Sequence, residues 1–308
     1  MNKLVGMSQD VKLFKATQKL RTGLRERIRA SEQGRSNGDV VRYGEWLKEF
    51  EKIEKTLQRH VELGSKRHPL WYEWLCNVRG VGKSTLAQLM GEIVTVNMIW
   101  NQKNKEQKPE GIAAFNTVSA LWRYAGIGLG KYWQNEKGDI VAPKKGHKMV
   151  GKEGEKERVL FEPEPKEGWE LVEVRDRPLE GWCLPYNKRL KTVCLEFVGG
   201  GIIRANGKYR AIYDEQKAYY EMDRPDWPQM RRHYAARRKM VKVFMSHFWE
   251  QWRVFEGLPT RLPYVIEKLG HTHIYDWREF VERPEDILRD RIEADSLMDL
   301  EEVETVVV

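Results

Sequence analysis

The chain has 308 residues and a net charge of +8, from 54 Lys and Arg against 46 Asp and Glu, with 41% apolar residues. That length holds one large or two modest domains with ample core. No apolar run approaches membrane-spanning length and no signal peptide is visible. Cys76, Cys183 and Cys194 fall in no paired or metal-ligand spacing, which suits a reducing cytoplasm.

The charge is unevenly spread. From Val281 onward there are ten acidic and three basic residues, a net of −7, so taking −7 from +8 leaves +15 on the rest. A basic body with an acidic tail fits a polyanionic partner, and solubility alone also accounts for the tail.

In chain order, residues 8–30 form an amphipathic helix with Val11, Phe14, Leu20, Leu24 and Ile28 on one side. A polar turn at 31–38 leads to a second long helix over 40–63, apolar at Tyr43, Trp46, Leu47, Phe50, Ile53, Leu57 and Val61. Two such stripes joined by a short loop predict an antiparallel helical hairpin or a dimerising coiled coil. Residues 67–128 hold a glycine-containing hairpin, a polar linker at 101–110 and a helix over 113–124. The stretch 129–182, rich in Gly, Lys, Glu and Pro, carries short alternating pieces at 158–161 and 169–174 and reads as a β-rich insertion. Helices resume at 186–198, 208–222 and 229–255. His271 and His273 lack further ligands, so no metal is expected.

The run 78–85, Val-Arg-Gly-Val-Gly-Lys-Ser-Thr, admits two readings. A phosphate-cradling P-loop requires a glycine where Asn77 stands and a buried strand leading in. The feed instead spaces its apolar residues at 71, 74, 75 and 78, which is helical. In a helix-hairpin-helix, Gly80 and Gly82 flank an inward Val81 and let a phosphate approach the backbone. The helix starting near Lys83 then offers free N–H groups, with Lys83, Ser84 and Thr85 adding a cation and two hydroxyls. Such a site grips a backbone without reading bases. A tight helix–helix turn with no ligand is the bland alternative.

The helix at 229–255 carries the densest basic patch: Arg231, Arg232, Arg237, Arg238, Lys239 and Lys242, interleaved with Tyr234, Met240, Val241 and Phe244. Helical spacing is expected to bury the apolar set and leave most of the cations free to follow phosphates.

The order of these features resembles the C-terminal domain of the DEDD-type insertion-sequence transposases, the family associated with bridge-RNA-guided recombination. LCNVRGVGKSTLAQLMGEI at 75–93 resembles its helix-hairpin-helix, and 40–63 occupies the place of its coiled coil. Leu121-Trp122-Arg123-Tyr124-Ala125-Gly126-Ile127 resembles its Tyr-Ala-Gly-Leu step, and Asn187-Lys188-Arg189-Leu190-Lys191 its Gly-Asn-x-x-Leu-Arg segment. Tyr209-Arg210-x-x-Tyr213 and 235–242 resemble its last two helices. The likeness spans roughly 40–255, broken by 129–182. The 66 residues ahead of the hairpin domain are expected to leave no room for the family's RuvC-like nuclease domain. The family's serine nucleophile also has no counterpart, since no serine lies between Ser119 and Ser246. Cys183 and Thr192 are candidate replacements, neither with an identifiable activating base.

The combined expectation is a mainly α protein in three parts. Residues 1–66 form a helical hairpin or coiled coil, 67–256 a helix-hairpin-helix domain with a β-rich insertion, and 257–308 an extension with an acidic tail. It is expected to bind duplex or structured DNA, or an assembly including a guide-type RNA, without sequence readout and without a cofactor. Homodimerisation through 8–63 and a nucleoid-associated, cytoplasmic location in a prokaryote or its mobile elements follow. The rival functions are a recombinase subunit working with a separate nuclease, a P-loop NTPase and a pure assembly module.

Overall fold

The computed structural model describes residues 2–98, 101, 107–151, 157–261 and 275–281. The protein is mainly helical with a small antiparallel β insertion. Two compact units divide the chain, one running to Ala114 and the other from Phe115 to Phe280. Among the described residues no helix is long and apolar enough to cross a membrane. His271, His273 and the acidic stretch beyond Val281 lie outside the described residues.

The first unit opens with α1 (Asn2–Glu32) and α2 (Val40–Lys66). Asp39 caps α2, its carboxylate accepting the Arg42 N–H at 3.0 Å. The helices run antiparallel: Asp10 lies opposite His60, Arg21 pairs with Glu54 and Arg25 with Glu51. Such partly exposed pairs add little. Burial of Met7, Val11, Phe14, Leu24 and Val61 contributes more, about 1.5–3 kcal/mol for each large apolar side chain.

The predicted stripes are only partly buried. Leu20 is 55% exposed, Trp46 47% and Ile53 48%. The α2 face turned toward α1 carries Glu54, which accepts from Gln18 and Arg21, and this rotates Ile53 outward.

Helix α3 (Lys83–Ile93) packs against both arms of this hairpin. Leu86, Leu89, Met90 and Ile93 are fully buried. The Ser8 hydroxyl donates to the Gly91 carbonyl at 2.8 Å. A Cβ at Gly91 would meet Val11 at 3.2 Å, so glycine lets α3 sit on α1 without a shift of that side chain.

In the second unit, α4 (Val118–Tyr124) is shorter than the predicted helix over 113–124. The chain breaks at Phe115 because its carbonyl accepts from Trp249 Nε1 at 2.7 Å and Arg253 Nη1 at 3.1 Å. The Thr117 hydroxyl then caps the restart, accepting from the Ala120 N–H. The insertion forms β1 (Leu129–Gln134), β2 (Ile140–Pro143), β3 (Gly146–Val150), β4 (Glu157–Phe161) and β5 (Glu170–Arg175). Strands β2, β1 and β5 make one antiparallel sheet, and β3 pairs with β4 in another.

Helix α5 (Lys188–Thr192) follows, capped by Asn187, and passes through a π-helical turn over Val193–Gly199 into α6 (Gly200–Ala205). Helices α7 (Arg210–Asp223) and α8 (Gln229–Phe255) complete the unit. The core is built on α8, where Met240, Val241, Phe244, Phe248 and Trp252 are buried. Gly199 brings the π-turn onto this helix, since a side chain there would lie 3.0 Å from Arg237 and Val241.

Candidate nucleic-acid interface

The hairpin residues all belong to the first unit. The segment entering them is helical but irregular, a π-helical turn at Leu70–Trp74 followed by a 3-10 turn at Leu75–Asn77. No strand precedes Gly80 among the described residues, so the architecture lacks the feed that a P-loop requires. The chain reverses through Val78–Gly80, where the Val81 N–H reaches the Val78 carbonyl at 3.4 Å. Gly80 has φ +97°, a left-handed conformation that favours glycine. Val81 is 3% exposed and anchors the turn.

Gly82 is the N-cap of α3, extended at φ −91° and ψ 172°, with no side chain to satisfy the first turn. Lys83, Ser84 and Thr85 are therefore the first three helical residues, and Leu86 is the first whose N–H bonds back, to Gly82. Open N–H groups at a helix start attract anions, through both their hydrogen-bonding capacity and the helix dipole. A methyl group on Gly82 would touch nothing within 4 Å, which leaves this backbone open to a ligand. The first turn is fixed from behind, because the Ser65 hydroxyl donates to the Lys83 carbonyl at 2.9 Å. The Lys83 ammonium rests 5.4 Å from the centre of the buried Trp71 ring.

The basic patch of α8 belongs to the second unit, and its six cations have unlike environments. Arg231 stacks on Trp227 at 4.1 Å, and Arg232 donates to the Pro225 carbonyl at 3.4 Å, so both brace the start of the helix. Lys239 is exposed.

Arg237 departs from the expected free cation. It is 7% exposed and makes two hydrogen bonds to Glu196, at 3.2 and 2.7 Å, while its guanidinium also lies over Tyr234. The close approach of Gly199 sets it against the π-turn, so its charge serves packing.

Arg238 and Lys242, one helical turn apart, are half-buried with no carboxylate partner among the described residues. Arg238 is held down to about 10 by burial and by the neighbouring Arg175 and Arg237, and its Nε is buried without a hydrogen bond. Lys242 is lowered to about 8 by burial, with Arg238 and Lys239 adding to the shift. Trp122 fixes Lys242 from below: its Nε1 donates to the Lys242 carbonyl at 3.1 Å, and the ammonium lies 5.0 Å from the ring centre. Like charges gathered in partly desolvated positions cost free energy, and an anion among them recovers it. Arg175, at the end of β5, is absent from the sequence-level candidates. Its contribution comes from the insertion folding back toward α8, which no local spacing signals.

The candidate nucleophiles are unequal. Thr192 Oγ1 donates within its own helix, to the Lys188 carbonyl at 3.2 Å. Cys183 is a partly exposed free thiol whose backbone N–H donates to the His147 carbonyl at 2.7 Å. Among the described residues no group of three or more His, Cys, Asp or Glu is placed to hold a metal ion. Compared with protein-family models and with curated proteins, the chain matches none.

Proposed function

We propose that the protein binds nucleic acid through its sugar–phosphate backbone, using α8 and the hairpin before α3. The observation that carries this reading is the Arg238–Lys242 pair, half-buried cations with the exposed Arg175 beside them and no carboxylate partner among the described residues. A phosphate supplies the missing negative charge and accepts from the accessible N–H groups of these cations. At the hairpin, Gly80, Gly82 and the N–H groups of Lys83, Ser84 and Thr85 play the helix-hairpin-helix role, hydrogen-bonding one strand without reading bases. Duplex or structured DNA is the partner we assign, with a guide-type RNA as a further component if the likeness to the transposase C-terminal domain extends to function. The outward Trp46 and Ile53, seven residues apart on α2, favour self-association of the α1–α2 arm.

Filter binding to a DNA duplex across a salt series tests the proposal. Affinity is expected to fall by orders of magnitude between about 50 and 200 mM salt. Affinity independent of salt, or no binding at low salt, overturns it. A recombinase activity resting on Cys183 has its own test: strand transfer abolished by Cys183→Ala with DNA binding intact.

A further inference from the structure

Within the second unit, α4 and the inserted strands enclose a cleft of about 410 Å³. Among the described residues four cationic side chains line it, Arg123, Lys145, Arg158 and Arg177, and no carboxylate does. Two of these are neutralised from outside the cleft: Lys145 pairs with Glu162, and Arg123 lies 3.9 Å from the buried Asp176. Arg158 and Arg177 have no acidic partner among the described residues. Arg158 Nη2 lies 3.5 Å from the His147 Nδ1, and burial and the Arg158 charge hold that ring's pKa below its ordinary value. The cleft thus carries two uncompensated guanidinium groups over an apolar wall of Leu160, Leu179 and Trp182.

These features together select a ligand. A single phosphate is far smaller than the space, whose volume falls in the range of small-molecule sites, about 300–1,000 Å³. A purely apolar ligand leaves both guanidinium groups desolvated and unpaired. The fit is a flat, weakly polar ring carrying a phosphate, because guanidinium recognises phosphate in a bidentate plane and the wall accepts a ring face. We propose that the cleft receives one unpaired nucleotide, its phosphate on Arg158 and Arg177 and its base against Leu160, Leu179 and Trp182. The cleft itself rests on its own residues; only the view that the nucleotide belongs to a DNA strand rests on the function proposed above.

The test uses the full chain and three probes: a blunt duplex, the same duplex with a short single-stranded overhang, and free AMP. Two variants accompany the wild type, Arg158→Ala/Arg177→Ala and Leu179→Glu, the second adding a carboxylate to the cleft. Circular dichroism checks that each is folded. The overhang is expected to raise duplex affinity about tenfold, the scale of one stacked base. Both variants are expected to erase that gain while leaving blunt-duplex affinity in place. Binding of AMP that both variants remove, with no overhang gain, assigns the cleft to a free nucleotide. If neither DNA binds but AMP does, and both variants abolish it, the cleft stands and the DNA-binding proposal falls. Absence of both the overhang gain and AMP binding overturns the cleft proposal, as does either effect persisting in both variants.

Discussion

The hairpin before α3 and the middle of α8 are each suited to hold a phosphate, but they prepare for it in opposite ways. At the hairpin the donors are backbone N–H groups that carry only partial charge and face open space, so the empty site is nearly without strain. On α8 the donors are full charges, partly desolvated and set beside one another, so the empty site is electrostatically costly. The first kind of site tolerates being empty. The second gains more from a ligand and loses more when its charges are removed.

Removing the α8 charges is therefore expected to have the largest effect on binding. Arg238→Ala/Lys242→Ala is expected to weaken duplex binding about a hundredfold and to reduce the salt slope by about two, one per lost phosphate contact. Stability in denaturant should hold or rise, since a like-charge pair is removed. A stable variant with unchanged affinity assigns the cluster to another purpose.

Arg237→Ala serves as the internal contrast, a cation of the same helix committed to Glu196. Chemical denaturation is expected to show a loss of about 2 kcal/mol, below the usual cost of breaking a fully buried pair because Glu196 remains half-exposed. Its salt slope should match wild type.

Gly82→Ala sharpens the other side. The backbone there is compatible with alanine and the methyl group meets nothing, so stability should move by no more than about 0.5 kcal/mol. Duplex affinity should nonetheless fall about tenfold, because the methyl group occupies the approach to the open N–H groups. An unchanged affinity reduces this hairpin to a turn.

The smallest effect at neutral pH concerns Lys242. Its folded value of about 8 lies below the ordinary 10.5, so between those limits the unfolded chain binds more protons and stability from this group rises with pH. A phosphate beside it favours the charged amine, so binding above about pH 8 should take up protons. Calorimetry in buffers of different ionisation enthalpy measures that uptake, and Lys242→Met should abolish it.

Much of the fold was legible from periodicity. Helix α8 spans the predicted 229–255, and the strands at 158–161 and 169–174 are found within a residue at each end, because a long stripe or a clean alternation has one favourable arrangement. What escaped depends on partners distant in sequence. The burial of Arg237 follows from Glu196, 41 positions away. The break before α4 follows from Trp249 and Arg253, more than a hundred positions away. The outward turn of Ile53 follows from Glu54 meeting Arg21 on the neighbouring helix. The cleft needed four strands, a helix and the segment after β5 before it existed. Its arginines were individually unremarkable charges in a polar insertion.

The Ser65–Lys83 hydrogen bond carries a mechanical consequence. It ties the end of α2 to the first turn of α3, while Gly91 seats the far part of α3 on α1. The N-terminal end of α3 therefore moves as one piece with an arm whose second helix is about 40 Å long at 1.5 Å per residue. Two copies joined along their arms become a caliper with a fixed gap between their grips. On the function proposed above, such a caliper would measure distance along a duplex while remaining blind to its bases.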